Sequence, residues 1–251
     1  MSYPTWSDLN SPSLVPPLGS RQAPSIGPVA LMVSTEPDLR YIAGNFGKFD
    51  TQSFFTGTLM TRNRAAVAGP FIGAPYAVML LESLIAKGAR SILVLGWCGA
   101  LTQDLAPGDL IVPSRAICDE GTSRHYTRLD PDLPVSQPDP ALSQALTGIL
   151  EHRGQKVRSA PIWTTDAIYR ETAEKVAWHR DRGAVAVEME CSALFAAAAF
   201  RSVAMAALLV VSDSLAGADW DPGFKKTQFK TNRRAACQAI LELTESFAHD
   251  L

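Results

Sequence analysis

The sequence predicts a three-layer α/β sandwich, in which helices cover both faces of a central mixed, largely parallel β-sheet. Short apolar runs that are typical of buried strands alternate along the chain with longer runs of helical periodicity. The 251 residues are enough for one large domain with a substantial core. Hydrophobic residues make up 47% of the chain, an ordinary fraction for a globular protein of this class.

The first half of the chain begins this alternation. Apolar runs that indicate strands occupy residues 29–34 and 65–68. Residues 75–87 are predicted to form a helix, because a proline lies in its first turn and Gly88 follows its last residue. Residues 91–95 then form a buried strand that runs directly into a glycine-rich segment.

The second half continues the same pattern. Asp139 is expected to cap a helix over residues 139–153, and Gly183 to end an amphipathic helix over residues 171–182. Sheets built from alternating strands and helices bind ligands at the carboxyl ends of their strands, so a functional site is expected there. The remaining predicted strands are 109–112, 156–163, 184–187 and 203–211, and the remaining predicted helices are 191–200 and 229–248.

The amino-terminal segment differs from the rest of the chain. Residues 1–28 contain six prolines and several serines without clear periodicity, so they are predicted to form an extended arm. A disordered tail would explain the same composition equally well. Residues 29–251 contain no internal repeat or low-complexity tract and are predicted to form a single domain.

Charge and cysteine content argue against several classes of function. A net charge of -2 gives no electrostatic basis for binding nucleic acid or an anionic membrane. The four cysteines form no C-x-x-C pair, so neither a zinc site nor a redox motif is indicated. The sequence shows no secretory signal and no membrane span, and its cysteines suit a reducing compartment, so we expect a cytoplasmic protein without a metal.

Two strand ends carry residues that suit a ligand. Trp97, Cys98 and Gly99 follow a buried strand, and a glycine there lets a ligand approach the backbone, although a tight strand exit has the same signature. Glu188 and Glu190 follow another strand, where buried carboxylates are costly unless they have partners. A carboxylate can accept both hydrogen bonds of a ribose diol, but acidic residues that stabilise a helix N-terminus give the same pattern.

Three further segments provide candidate contacts. Asp213 ends the last long apolar strand, where an aspartate can be an acid/base group, a helix cap or a turn residue. Ile168 and Tyr169 can form the wall beside a flat ligand or simply pack in the core. His125 lies in a polar loop from which it can contact a substrate, whereas His179 is expected to face solvent.

Taken together and in this order, these segments resemble the nucleoside phosphorylase/uridine phosphorylase superfamily. The similarity runs from about Val29 to the final helix, and its motifs are GAPYAVMLLESLIAKGA, GWCGAL with PGDLIVP, GTSRHY, TTDAIY, GAVAVEMECSALF and VSD. Members of this family share a mixed-sheet α/β sandwich and assemble as dimers, trimers or hexamers. The resemblance therefore implies a homo-oligomer whose catalytic domain cleaves the N-glycosidic bond of a nucleoside.

The resemblance also implies roles for particular residues. Glu190 would bind the ribose hydroxyls, and Met189 would pack on the sugar. Asp213 matches the aspartate that protonates the leaving base in purine-cleaving members, and Ile168 aligns with an aromatic residue that stacks on the base. The other residues expected at the substrate are Glu188, Trp97, Cys98, Gly99, Tyr169 and His125.

The sequence departs from this family where phosphate should bind. Phosphorylases usually carry Gly-Asp-Pro-x-Arg after the first strand, and here the glycine is missing and the arginine is displaced by one residue. A second phosphate-binding arginine and a hydroxyl residue have Val94 and Trp97 in their places. Three arginines could still hold phosphate, and two acids could activate water. These candidate residues are Arg40, Arg62, Arg64, Glu36 and Asp38.

The sequence as a whole predicts phosphorolysis of a purine nucleoside to the free base and ribose 1-phosphate. Inorganic phosphate is the expected co-substrate, and no cofactor is expected. Thr172 and Glu174 stand near the places of the residues that read uracil in uridine phosphorylases, which favours a purine. Hydrolysis by water on the same fold and a non-catalytic nucleoside-binding protein remain open, because fold alone does not fix activity.

Overall fold

The computed structural model describes residues 8–9, 11–21, 23 and 25–250. The helices are α1 (Glu36–Asn45), α2 (Ala74–Lys87), α3 (Pro140–His152), α4 (Ala173–Asp181), α5 (Cys191–Phe200) and α6 (Thr227–Asp250). The strands are β1 (Val29–Val33), β2 (Asp50–Phe54), β3 (Gly57–Arg62), β4 (Ala65–Gly69), β5 (Ser91–Ala100), β6 (Leu110–Asp119), β7 (Val135–Ser136), β8 (Val157–Thr165), β9 (Ala186–Glu188), β10 (Ala204–Ser214) and β11 (Asp221–Pro222).

The strands form one mixed sheet. Strands β4, β1, β5 and β10 lie side by side and run parallel, and β6, β8 and β9 form a second parallel group. Antiparallel pairings join the two groups, because β10 pairs with β6 and β5 pairs with β9. The chain of pairings β5–β10–β6–β8–β9–β5 is therefore closed, and it brings the ends of strands that are distant in sequence to one place.

Helices cover both faces of this sheet, as the sequence predicts. On one face α2 and α5 pack together over a core that contains Leu81, Leu194 and Phe195. On the other face α1, α3 and α6 cover a second core that contains Ile42, Leu146 and Ile240. The fold is thus the predicted three-layer α/β sandwich, and both faces of the central strands are buried, as expected for parallel strands.

Several element boundaries differ from the predicted ones. Helix α5 begins and ends at the predicted residues, and Asp139 caps α3 by accepting a hydrogen bond from the N–H of Leu142 at 2.7 Å. Strands β5 and β6 extend well beyond the predicted 91–95 and 109–112. Helix α1 and the hairpin of β2 and β3 were not predicted, because β2 lies at the sheet edge and is largely exposed.

The predicted arm falls only partly within the described residues, because residues 1–7, 10, 22 and 24 lie outside them. Its described part contains no helix or strand. The backbone N–H groups of Ser25 and Ile26 donate to the carbonyl of Lys87, so the segment just before β1 is attached to the end of α2. Among the described residues, no helix combines the length and the apolar character needed to cross a membrane.

Candidate active site

The carboxyl ends of four strands surround a cavity of about 350 Å³. Ser34 follows β1, Cys98 belongs to β5, Glu188 ends β9 and Asp213 lies near the end of β10. This edge is where α/β sheets bind ligands, and the volume suits a small molecule. The remaining lining residues are Thr35, Phe71, Ile72, Trp97, Gly99, Ile168, Glu171, Val187, Met189, Glu190, Ser212, Leu215 and Phe224.

Glu188 joins β9 to α5 as a buried hydrogen-bond acceptor. Its Oε2 accepts hydrogen bonds from the N–H groups of Glu190 at 2.8 Å and Cys191 at 2.7 Å, and its Oε1 accepts from the hydroxyl of Thr164. These bonds satisfy donors at the first turn of α5 that would otherwise have no partner. The alternative left open by the sequence, acidic residues at a helix N-terminus, therefore describes Glu188 well.

Glu190 occupies a different position from Glu188. Strand β9 ends before Glu190, so the two carboxyl groups do not project from one strand face as an extended strand would require. One oxygen of Glu190 accepts a hydrogen bond from the N–H of Gly73 at 2.5 Å, and Met189 lines the cavity beside it. This arrangement presents one carboxyl group and one thioether side chain to a ligand.

Glu188 and Glu190 are two buried carboxyl groups whose negative charges would repel each other. Burial raises the pKa of Glu190, and the negative charge of Glu188 raises it further. Burial likewise raises the pKa of Glu188, although the hydroxyl of Thr164 and two backbone N–H groups favour its ionised form. Because Glu188 has the larger number of donors, the negative charge of this pair is better stabilised on Glu188 than on Glu190.

Asp213 enters the cavity at an irregular position of β10. The pairing of β10 with β5 shifts register between Val211 and Asp213, and such a bulge redirects the side chain that follows it. Oδ1 of Asp213 lies 2.5 Å from the hydroxyl of Ser212, and Oδ2 accepts a hydrogen bond from the indole N–H of Trp220 at 2.8 Å. No motif in the sequence indicates this contact with Trp220.

Gly99 allows Asp213 to approach β5. A Cβ atom at Gly99 would lie 3.2 Å from Oδ2 of Asp213 and 2.6 Å from Cδ1 of Leu215. The neighbouring thiol of Cys98 also lines the cavity, and burial raises its pKa, with further contributions from Asp213 and Glu188. Cys98 is therefore a neutral thiol and has no nucleophilic character at neutral pH.

The turn before α4 forms another wall of the cavity. Ile168 and Glu171 both line it, whereas Tyr169 is 96% exposed and points elsewhere. Tyr169 therefore does not line the cavity, although the sequence places it at the substrate, because consecutive residues of a tight turn face different directions. Glu171 was not predicted to line the site, because the only feature of the sequence that indicates it is its position three residues after Ile168.

Trp97 borders the cavity and is fixed by a buried charged group behind it. Its indole N–H donates to Oδ2 of Asp38 at 2.7 Å, and its ring contacts Phe229 edge-on with centroids 5.1 Å apart. The other oxygen of Asp38 lies 2.9 Å from a guanidinium nitrogen of Arg233, and the guanidinium carbon of Arg233 lies 5.7 Å from the centroid of the Trp97 ring. Asp38 is 0% exposed and does not line the cavity, so it is placed as a support for Trp97.

The candidate phosphate and water ligands lie away from the cavity. Arg40 and Glu36 form an exposed ion pair at 2.6 Å on the first turns of α1. Arg62 pairs with Glu245, and Arg64 is exposed at a turn with a positive φ of 63°. Within the residues that the structure describes, the cavity lining includes no arginine or lysine. The predictions for these four side chains therefore have no support from the geometry of a single chain.

His125 is also distant from the candidate site. It lines a larger cavity of about 1000 Å³ between the described part of the arm, α2 and α5. The sequence also predicts that His179 faces solvent. In the structure His179 is buried and stacks on Trp163 with ring centroids 4.1 Å apart. Both differences arise because a loop or a short helix gives little sequence information about the direction of a side chain.

Comparison with known proteins places the chain in a family. The family model described as "Phosphorylase superfamily" matches residues 28–248. A purine nucleoside phosphorylase (DeoD-type) from Myxococcus xanthus is 31% identical over 230 residues, which cover 88% of this chain and 92% of that protein. A guanosine phosphorylase from Halorubrum lacusprofundi is 34% identical over 155 residues, but this match covers only 60% of this chain and 63% of that protein.

Solved structures share the fold at lower identity. Purine nucleoside phosphorylase from Toxoplasma gondii superimposes with a TM-score of 0.78 at 19% identity, covering 97% of this chain and 100% of that one. AMP nucleosidase from Bacteroides thetaiotaomicron gives a TM-score of 0.70 at 20% identity, covering 90% of this chain and 93% of that one. The family model spans nearly the whole domain that holds the cavity, and the chain therefore belongs to the phosphorylase superfamily.

Proposed function

We propose that this chain cleaves the N-glycosidic bond of a purine nucleoside by phosphorolysis, releasing the free base and ribose 1-phosphate. One observation carries the proposal: Glu190, Met189 and Asp213, which come from two distant strand ends, line the same cavity. The named activities of the relatives from Myxococcus xanthus and Halorubrum lacusprofundi support a purine substrate and phosphate as the acceptor.

In this proposal the sugar and the base occupy opposite ends of the cavity. Glu190 accepts hydrogen bonds from the ribose hydroxyls, and Met189 packs against the sugar face. Asp213 stabilises the leaving base, and Ile168 packs against the plane of the base. Cleavage passes through a ribosyl cation, and general-acid help to the leaving base is worth about 10²–10⁴-fold in rate.

The other properties in this proposal follow from family membership and composition. The reaction needs a nucleoside and phosphate and no cofactor. The active protein is a homo-oligomer of two, three or six chains, in which an arginine such as Arg64 can reach a neighbouring cavity. Residues 29–251 form the catalytic domain, residues 1–28 form an extended arm, and the protein acts in the cytoplasm.

Hydrolysis by water is a second candidate that one observation favours. The described cavity lining supplies no cation for a phosphate dianion, and Trp97 stands where the family places a hydroxyl. Asp38 cannot activate water in this arrangement, because its carboxylate is fully buried and already accepts hydrogen bonds from Thr35 and Trp97. Water bound directly in the cavity would then be the nucleophile.

A single assay tests the proposal and separates the two acceptors. Release of free base is measured for guanosine, inosine, adenosine and uridine, with and without saturating phosphate, and the sugar product is identified. We expect purine release that depends on phosphate and yields ribose 1-phosphate. Free ribose as the only sugar product at saturating phosphate would select hydrolysis, and no release from any nucleoside would reject both reactions.

A further inference from the structure

Glu171 is a carboxyl group in the cavity to which the proposed function gives no role. It follows the short turn that carries Ile168, and its backbone N–H donates to the carbonyl of Ile168 at 3.3 Å. Glu171 and Ile168 line the cavity together with Asp213. Since the proposed function assigns Ile168 and Asp213 to the base, the carboxyl group of Glu171 also lies at the base end.

The side chain of Glu171 is free to contact a ligand. It is half-buried, and among the residues that the structure describes none forms a hydrogen bond or an ion pair with it. The nearby cation, Lys175, is already held in an ion pair with Asp119 at 2.7 Å. A carboxyl group that is partly removed from water without partners is costly, so a ligand that supplies hydrogen-bond donors is favoured here.

Purine bases differ in the donors that they offer to a carboxyl group. Guanine presents two donors side by side, the N1–H and the 2-amino group, and hypoxanthine presents the N1–H alone. Adenine instead presents a 6-amino donor beside the lone pair of N1. An ionised carboxylate can only accept, whereas a protonated carboxyl group donates at one oxygen and accepts at the other. The ionised form therefore matches guanine, and the protonated form matches adenine.

We propose that Glu171 selects 6-oxopurine nucleosides, because its carboxylate accepts the N1–H of the base and, in guanine, the adjacent 2-amino group. This inference rests on the proposed cleavage of a purine nucleoside, and it leaves Asp213 in the role given there. Adenine would place the lone pair of N1 against the carboxylate and leave both acceptors unpaired. Sites that hydrogen-bond a substrate discriminate strongly against an analogue that lacks the donor.

The charges around Glu171 make this selection depend on pH. Burial raises the pKa of Glu171 to about 7, the negative charge of Asp213 contributes to the rise, and the ammonium group of Lys175 opposes it. Above this pH the carboxylate is present and the 6-oxopurines are preferred, and below it the protonated form accommodates adenine. The other ionisable groups that line the cavity are Glu188, Glu190 and Cys98, which add no positive charge.

The first measurement is the ratio of kcat/KM for guanosine to kcat/KM for adenosine in the wild-type protein. Between pH 6 and pH 8 this ratio should rise by about 10-fold or more, because the ionised fraction of Glu171 rises through its pKa. A titration at the sugar end, such as that of Glu190, acts on both nucleosides and cancels in the ratio. Inosine should follow guanosine.

The second measurement uses Glu171→Gln, whose amide donates at one atom and accepts at the other at every pH. It should lower the ratio at pH 8 by about 10-fold or more, because a donor of the amide meets a donor of guanine. The ratio should also become independent of pH. Glu174→Gln is the matched control, since Glu174 lies three residues later, is exposed and does not line this cavity. Circular dichroism and thermal melting establish that both variants are folded.

Three results would overturn the inference. The first is a wild-type ratio that does not change between pH 6 and pH 8, which needs no variant to measure. The second is Glu171→Gln with the wild-type ratio at pH 8. The third is an equal loss of kcat/KM for guanosine and adenosine in Glu171→Gln, which would mean that Glu171 serves the shape of the cavity and does not distinguish the bases.

A failure of the proposed function gives a different result. If the wild-type protein releases base from no nucleoside, the proposed cleavage fails. Binding of 9-methylguanine and 9-methyladenine, which have no glycosidic bond, then decides the role of Glu171 by calorimetry at pH 6 and pH 8. Tighter binding of 9-methylguanine at pH 8 that Glu171→Gln removes would support the role, and equal binding or no binding of the two bases would overturn it.

Discussion

The indole N–H of Trp97 donates a hydrogen bond to the buried carboxylate of Asp38 at 2.7 Å, across 59 positions of sequence. Arg233 lies 2.9 Å from the same carboxylate, and its side chain is 13% exposed. The positive charge of Arg233, which lies behind Trp97 in the cavity wall, is thus neutralised by the carboxylate of Asp38. Trp97 is thereby fixed at the place where the family resemblance predicts a hydroxyl ligand of phosphate.

Because Asp38 and Arg233 form a buried ion pair, we expect a large loss of stability when one of them is removed. Asp38→Ala leaves the guanidinium of Arg233 without its anion, and breaking a buried pair in this way typically costs about 3–5 kcal/mol. The free energy of unfolding, measured by urea denaturation, should fall by this amount. Glu36→Ala is the matched control, because its exposed ion pair with Arg40 is worth less than about 1 kcal/mol. Equal losses in both variants would contradict this account of Asp38.

The sequence predicts the strands and helices well where a continuous apolar run indicates burial directly. Helix α5 is apolar on all sides, which made its bounds predictable, and the strand ends after β9 and β10 correctly indicated that Glu190 and Asp213 lie at one cavity. Such information is local. It cannot show that β10 has a bulge before Asp213 or that Trp220 turns back to it.

The residues that were missed depend on contacts between distant segments. The sequence predicts that residues after β1 bind phosphate or activate water, but this segment is the first turn of α1, where Glu36 and Asp38 suit the N-terminus of a helix. Arg233 lies on α6 and Glu171 precedes α4, and neither forms part of a motif. Their positions beside Asp38 and Asp213 follow from the packing of helices on the sheet, which a single sequence does not encode in any short pattern.

The sugar end of the cavity gives a second prediction. Glu190→Gln should lower kcat/KM for purine nucleosides by 10-fold or more, because the amide NH₂ replaces an acceptor oxygen and a buried donor left without its acceptor costs about 1–3 kcal/mol. The fold should persist, since the amide oxygen of glutamine can still accept the hydrogen bond from Gly73. Steady-state kinetics with thermal melting as a control test this assignment, and a folded variant with unchanged kinetics would disprove it.

A third prediction concerns the assembly state. It comes from the exposed apolar side chains that line the larger cavity beside His125. Met79 is 51% exposed and Phe200 is 36% exposed, and both line the cavity of about 1000 Å³. Grouped apolar side chains at a surface often mark an interface, so we expect a closed homo-oligomer. Light scattering at micromolar concentration should give a dimer or larger, and Met79→Glu should reduce the mass. Gln144→Glu, on an exposed position of α3, is the control, and a monomeric wild-type protein would refute the prediction.

The last prediction concerns how closely β5 approaches Asp213. Gly99→Ala adds a Cβ atom 3.2 Å from Oδ2 of Asp213, which is closer than most such contacts, and 2.6 Å from Cδ1 of Leu215. The flexible side chain of Leu215 can move aside, but the carboxylate must shift while Trp220 and Ser212 hold it. Because a misplacement of about 1 Å can cost about 10²-fold in rate, we expect kcat to fall by 10-fold or more.

A matched glycine separates this effect from a general loss of stability. Gly148 lies on the exposed side of α3, where an added Cβ atom would meet nothing within 4 Å beyond the backbone of its own helix. Gly148→Ala should therefore keep wild-type kinetics and stabilise the helix by about 0.5–1 kcal/mol. In Gly99→Ala the defect should appear in kcat at an unfolding midpoint close to that of the wild type. A loss of activity that only follows a lower melting temperature would mean that Gly99 serves packing and does not position Asp213.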